Sequence, residues 1–196
     1  MGRSENSKNR VFVAEGNELR TKAFDSAKMK DPSLIIYYPV RERGGSTIVT
    51  NGDQTDTIFD CLGTGGTFED ALFTRTFEPD APNYTPRISG LLEPNGGYRL
   101  SVLKAEENDP NRGLRAFYQY DRLNPGTAHL VHTYSGDGNP LPPFCGEPVA
   151  VAVSEDIDAF AKEIWNALNP AFRVSLFVRF IGKDGGKEDR IINANV

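Results

Sequence analysis

Apolar and polar side chains alternate, or short β-branched and aromatic runs recur, at Arg10–Ala14, Glu18–Phe24, Ser33–Val40, Ser46–Thr50, Tyr98–Ala105, Leu114–Asp121, Ala128–Tyr134, Pro148–Val153 and Arg173–Ile181. Each stretch predicts a strand, because successive side chains of extended backbone point to opposite faces. In the last, Val174, Leu176, Val178 and Phe180 share one face and Arg173, Ser175 and Arg179 lie opposite, so this strand is expected to be half-buried. "SLIIYYPV" and "PVAVAV" are apolar on both faces, as happens when a sheet is covered on both sides. Two helices interrupt the strands. One runs from Thr67 to about Phe77, where Thr67 and Asp70 form a variant capping box. The other runs from Ser154 to Leu168, capped by Ser154, with Ile157, Phe160, Ala161, Ile164, Trp165 and Leu168 on one apolar stripe that Asn169-Pro170 ends. Strand and helix do not alternate regularly, so the pattern predicts an α+β layered domain rather than a doubly wound one. Two sheets sandwiched between helical layers would cover the strands that are apolar on both faces.

Length and charge narrow this further. At 196 residues the chain is long enough for one well-buried core, and a single domain over 1–196 is expected. A net charge of −5, a pI near 5.1 and the lack of any long Lys/Arg run give no footprint for nucleic acid. No apolar stretch approaches the roughly 18 residues of a membrane span, and "MGRSENSKNR" lacks the apolar core of a signal peptide, so a cytoplasmic protein without membrane partners is expected. Cys61 and Cys145 are isolated, with no neighbouring Cys or His at zinc spacing, so neither a disulfide framework nor a structural metal is expected.

The densest polar segment is "TNGDQTDTI", Thr50 to Ile58. Asn51-Gly52 is a strong hairpin signal, but a turn accounts for only two to four of these residues. The rest places many short donors and acceptors at a strand end, where a polar ligand needs them. "MGRSENSKNR" puts Arg3, Lys8 and Arg10 near Asn6 and Asn9 just ahead of a strand. As a frayed terminus it needs no further account; as a site, its guanidiniums with amide neighbours suit phosphate oxygens. "YTPRI" sets Arg87 after a proline at the mouth of a strand. Other motifs have plainer readings. His129 and His132 fall on opposite faces of a strand and do not make a metal pair. "GTGGT" lacks the lysine of a phosphate-binding loop, and "FCGEP" holds no histidine to activate Cys145.

Taken in order, "GRSENSKNRVF", "SLIIYYPVR", "TIVTNGDQTDTI", "YTPRI" and "FCGEPVAV" closely resemble the archaeal-type IMP cyclohydrolase family in its bacterial branch, from about Gly2 to Val153. The resemblance implies a four-layer αββα sandwich like that of the N-terminal-nucleophile hydrolases, here lacking the first strand, and an edge left open to association with another copy. It implies dehydrative closure of 5-formamidoimidazole-4-carboxamide ribotide (formyl-AICAR ribotide) to IMP, the last step of de novo purine synthesis, with no cofactor and no metal. A non-catalytic purine-ribotide-binding protein, an enzyme acting on a related ribotide and a β-rich interaction domain are the alternatives. Carried over by motif, Arg10, Tyr37 and Glu78 are the expected catalytic residues, with Tyr38 adjacent to the tyrosine position. Arg3, Asn9, Asn51, Gly52, Asp53, Thr55, Asp56, Thr57, Thr85 and Arg87 are the expected substrate contacts. Ring closure needs a base near the carboxamide, an acid near the departing oxygen and a firm hold on the phosphate, and these residue types supply all three.

Overall fold

The computed structural model describes residues 1–195. The chain is mixed α/β, with antiparallel strand pairs and few helices, and it falls into two compact units. One is formed by Met1–Tyr37 with Ala152–Val196, the other by Tyr38–Val151.

In the first unit, β1 (Arg10–Glu15) and β2 (Glu18–Ala23) form a hairpin preceded by the single turn of α1 (Glu5–Lys8), which Ser4 and Ser7 close with a capping box. A second hairpin, β10 (Ser175–Ile181) with β11 (Lys187–Asn193), carries α4 (Ile157–Ala167). The apolar stripe of α4 meets the expected face of β10: Ile157, Ala161 and Val178 are buried together, with Phe160, Leu176, Phe180 and Ile192 packed around them. Asn193 stitches β11 to β1, accepting from the Phe12 N–H at 2.9 Å and donating to the Phe12 carbonyl at 3.1 Å.

In the second unit five strands form an antiparallel meander: β3 (Val40–Arg43), β4 (Ser46–Thr50), β5 (Arg87–Leu92), β6 (Tyr98–Ala105) and β7 (Gly113–Tyr120). The β3–β4 turn is Gly44-Gly45, both at positive φ, the two-residue loop whose twist matches its flanking strands. Between β4 and β5 the chain forms α2 (Gln54–Gly63) and α3 (Phe68–Phe73). These cover one face of the meander, burying Ile58, Phe68, Ala71 and Leu72 against Ile48, Leu91 and Leu103. A short pair, β8 (Thr127–Leu130) and β9 (Val149–Ala152), completes the regular structure.

Several expected elements differ. "SLIIYYPV" is a series of turns up to Val40, not a strand. Pro32 starts a turn whose carbonyl accepts the Ile35 and Ile36 N–H groups, and the buried Thr21 side chain satisfies backbone that a neighbouring strand would otherwise serve. Asn51-Gly52 is not a hairpin turn but the entry to α2. The helix beginning at Thr67 does have its capping box, but it ends at Phe73; Phe77 is buried in the following loop against Tyr84. The N-cap of α4 is Asp156, two residues beyond Ser154, and its carboxylate accepts the Asp158 and Ala159 N–H groups.

Candidate active site

The polar segment after β4 is wound around one peptide. The Thr50 and Thr55 hydroxyls both donate to the Gly52 carbonyl, at 2.7 and 3.0 Å, and the Gly52 N–H donates to Thr50 Oγ1 at 3.2 Å. This places Asp53 at the head of α2 as a residue whose side chain does not cap its own helix. Its carboxylate turns instead to two arginines: Oδ1 accepts from Arg87 Nη1 and Oδ2 from Arg75 Nη2, each at 2.6 Å. Burial by itself raises the Asp53 pKa, but the Arg75 hydrogen bond and the charges of Arg87 and Arg75 outweigh it and hold the carboxyl below its ordinary value.

Arg87, the first residue of β5, is 5% exposed. Its Nη1 also donates to Gln54 Oε1 at 2.8 Å and lies 3.8 Å from Glu78 Oε1. Glu78 is itself buried, and its N–H donates to the Thr85 carbonyl. Gly52 is required where these groups meet, because a Cβ there would stand 2.6 Å from Gln54 Oε1, 2.7 Å from Arg87 Nη1 and 3.2 Å from Glu78 Oε1. Arg87 Nε is buried with no hydrogen-bond partner among the described residues.

The remaining expected contacts of this unit surround the cluster. Asn51 ties the end of β4 to β5: its N–H donates to the Ile88 carbonyl, its Oδ1 accepts from Ile88 N–H at 2.9 Å and its Nδ2 donates to the Pro86 carbonyl. Thr57 accepts from Arg75 Nη1 at 3.3 Å. Asp56 accepts from Arg41 Nη1 at 2.8 Å, and the Arg41 guanidinium lies 3.5 Å from the centre of the Phe59 ring. Thr85 donates its hydroxyl to Asp80 and shares a short contact with the Tyr134 hydroxyl.

The four expected residues of the first unit are each held by different neighbours. Asn9 uses both ends of its amide on the Asp25 backbone, at 2.8 Å each. Arg10 Nη2 donates to the Met1 carbonyl at 3.0 Å, and the Arg3 guanidinium lies over the Phe172 ring. Tyr37 is buried, with its N–H donating to Thr21 Oγ1.

The structure therefore brings Asn51, Gly52, Asp53, Thr55, Thr57, Glu78 and Arg87 into one network and sets Asp56 beside it. Sequence reasoning missed Gln54 and Arg75, which complete that network, and Arg41, Asp80 and Tyr134 around it. Gln54 had a signal, being the one long amide inside the polar segment. Arg75 had none, because nothing in "FTRTF" separates it from a solvated helix end. Chemically, a buried carboxylate with a guanidinium charge close by can move a proton and steady a developing oxyanion.

Comparison with known proteins adds to this. A sequence model of the family described as IMP cyclohydrolase-like protein matches residues 1–185. A protein of Methanothrix thermoacetophila named IMP cyclohydrolase is 30% identical over 134 residues, covering 66% of this chain and 62% of that protein. The match thus spans less than two thirds of the relative's length.

Proposed function

Since this chain belongs to the IMP cyclohydrolase-like family, we propose that it closes 5-formamidoimidazole-4-carboxamide ribotide to IMP with loss of water, as the last step of de novo purine synthesis in the cytoplasm. The observation that carries the reading is the buried Glu78 set 3.8 Å from the buried Arg87, at the entry to α2. In the reaction the carboxamide nitrogen attacks the formyl carbon to give a carbinolamine, which then loses water. Glu78 and Tyr37 divide the proton transfers, one taking the amide proton and the other delivering one to the departing oxygen. Arg87 steadies charge on the oxygen, and Arg10 and Arg3 hold the phosphate. Asn9, Asn51, Gly52, Asp53, Thr55, Asp56, Thr57 and Thr85 supply the further ribotide contacts in this reading. Every step uses side chains of this chain, so the reaction runs without metal or cofactor. The four-layer αββα arrangement and self-association belong to the same proposal.

The test is turnover of the formylated ribotide by the purified chain in the presence of a chelator, followed by absorbance, with IMP binding measured in parallel by thermal shift. Turnover insensitive to chelator and stabilisation by IMP are the expected results. IMP binding without turnover would make the chain a ribotide-binding protein, and neither would remove the reading altogether. Tyr37→Phe and Glu78→Gln are expected to lower kcat, and Arg10→Ala to raise KM.

A further inference from the structure

Lys104 on β6 follows Leu103, which packs with the residues of α2 and α3, so its side chain lies on the opposite face of the meander. There its ammonium meets two neighbouring groups of one loop: Nζ donates to the Phe144 carbonyl at 2.7 Å and to Cys145 Sγ at 2.9 Å. Both partners are anchored. Phe144 is buried, its N–H donates to the Thr133 carbonyl at 3.0 Å, and its ring meets the His132 ring edge-on at 4.6 Å. On the other side of Cys145, the Gly146 carbonyl accepts from the Tyr118 hydroxyl of β7 at 2.8 Å. The loop that carries the thiol is thus pinned to two adjacent strands, with one pin on each side of the cysteine.

Cys145 is nevertheless exposed, so a small oxidant in solution reaches its sulfur while the lysine nitrogen already stands at hydrogen-bond distance. An oxidised cysteine condenses with a nitrogen held beside it, as sulfenic acids do with backbone nitrogen. Holding the two reactants in place turns an encounter between them into a first-order step. The pair of nucleophiles, nitrogen and sulfur, makes the site; the thiol alone would not.

We propose that Lys104 and Cys145 form an oxidative cross-link, a sulfenamide between Nζ and Sγ, when the chain meets hydrogen peroxide. The peroxide gives one oxygen to the sulfur and leaves as water, and the sulfur is oxidised by two electrons to the sulfenic acid. Nζ, having released one proton to solvent, attacks the sulfur: the N–S bond forms, the S–O bond breaks, and hydroxide departs with an amine proton as a second water. Thiol, ammonium and peroxide become sulfenamide, two waters and a proton. This cross-link lies outside the reading of the ribotide site and does not depend on it.

The test is brief exposure of the purified chain to hydrogen peroxide, proteolysis without reductant, and mass spectrometry. A linked pair of peptides is expected, one holding Lys104 and the other Cys145, lighter by two hydrogens than their sum and parted again by dithiothreitol. Lys104→Arg, which keeps a donor for the Phe144 carbonyl, is expected to lose the linked pair and to accumulate a sulfenic acid that dimedone labels at Cys145. Cys145→Ser is expected to lose both products. A chain unfolded in urea before the peroxide is added is expected to lose the linked pair, since nothing then holds the amine at the sulfur. A Cys145 that stays a thiol or passes to sulfinic acid with no linked pair overturns the assignment, as does a linked pair that forms equally in the unfolded chain or through another lysine. A linked pair one oxygen heavier also overturns it, because the nitrogen is then bonded to oxygen and not to sulfur.

Discussion

Arg87 is a full charge that is 5% exposed, and such a charge persists in a protein only when its partners compensate the lost hydration. Asp53, Gln54 and Glu78 do so jointly. Arg87→Ala is therefore expected to destabilise the chain by about 3 kcal/mol, because it takes the guanidinium away from the carboxylates of Asp53 and Glu78, and to abolish stabilisation by IMP; urea unfolding with and without IMP measures both. Asp53 gives the network a pH signature. Its folded pKa lies below the ordinary 3.8, so its stabilising contribution is complete above that value and is lost as pH falls through the folded pKa. The difference in unfolding midpoint between the unaltered chain and Asp53→Asn should thus be largest near neutrality and shrink below about pH 4. Legibility at this scale followed chemistry: a guanidinium after a proline and a glycine amid polar residues could be singled out in the sequence. The partner of Asp53 across 22 positions, Arg75, could not, because the contact exists only once α2 and α3 pack on one sheet.

At the scale of elements, strands read well where alternation or a β-branched and aromatic run marked them. β4, β6 and β10 fall almost where alternation puts them. α2 was illegible because its buried first turn is Gln54 and Thr55 rather than two apolar residues, so the stripe that continues to Ile58 begins with polar side chains. Their polarity is used inside, on Gly52, Asn51 and Arg87. β11 escaped for the opposite reason: Lys187 to Arg190 are charged, and pairing with β10 rather than a pattern of its own makes it a strand. "SLIIYYPV" shows a third cause, since burial of Ile35 and Tyr37 was legible but the backbone state was not. There the Thr21 hydroxyl takes the place of a strand partner, meeting the Ile35 carbonyl at 2.7 Å and the Tyr37 N–H at 2.8 Å. Thr21→Val, equal in shape but without the hydroxyl, is expected to cost about 1 to 3 kcal/mol. Chemical denaturation measures this, and a change within error would show that the segment finds other partners.

For the whole molecule, the unit Tyr38–Val151 is continuous in sequence, whereas the other unit joins Met1–Tyr37 to Ala152–Val196. The ribosome therefore releases every strand of the meander, with α2 and α3, before β10 or β11 has been made. Chains emerge at about 5 to 20 residues per second and contiguous domains tend to fold as they appear. The β1–β2 hairpin, although synthesised first, gains its bonds to Asn193 only when the last strand has been made. Nascent chains stalled after Val151 are thus expected to resist protease across the meander, while the unit that joins the two ends of the chain gains its full protection only once Asn193 has left the ribosome.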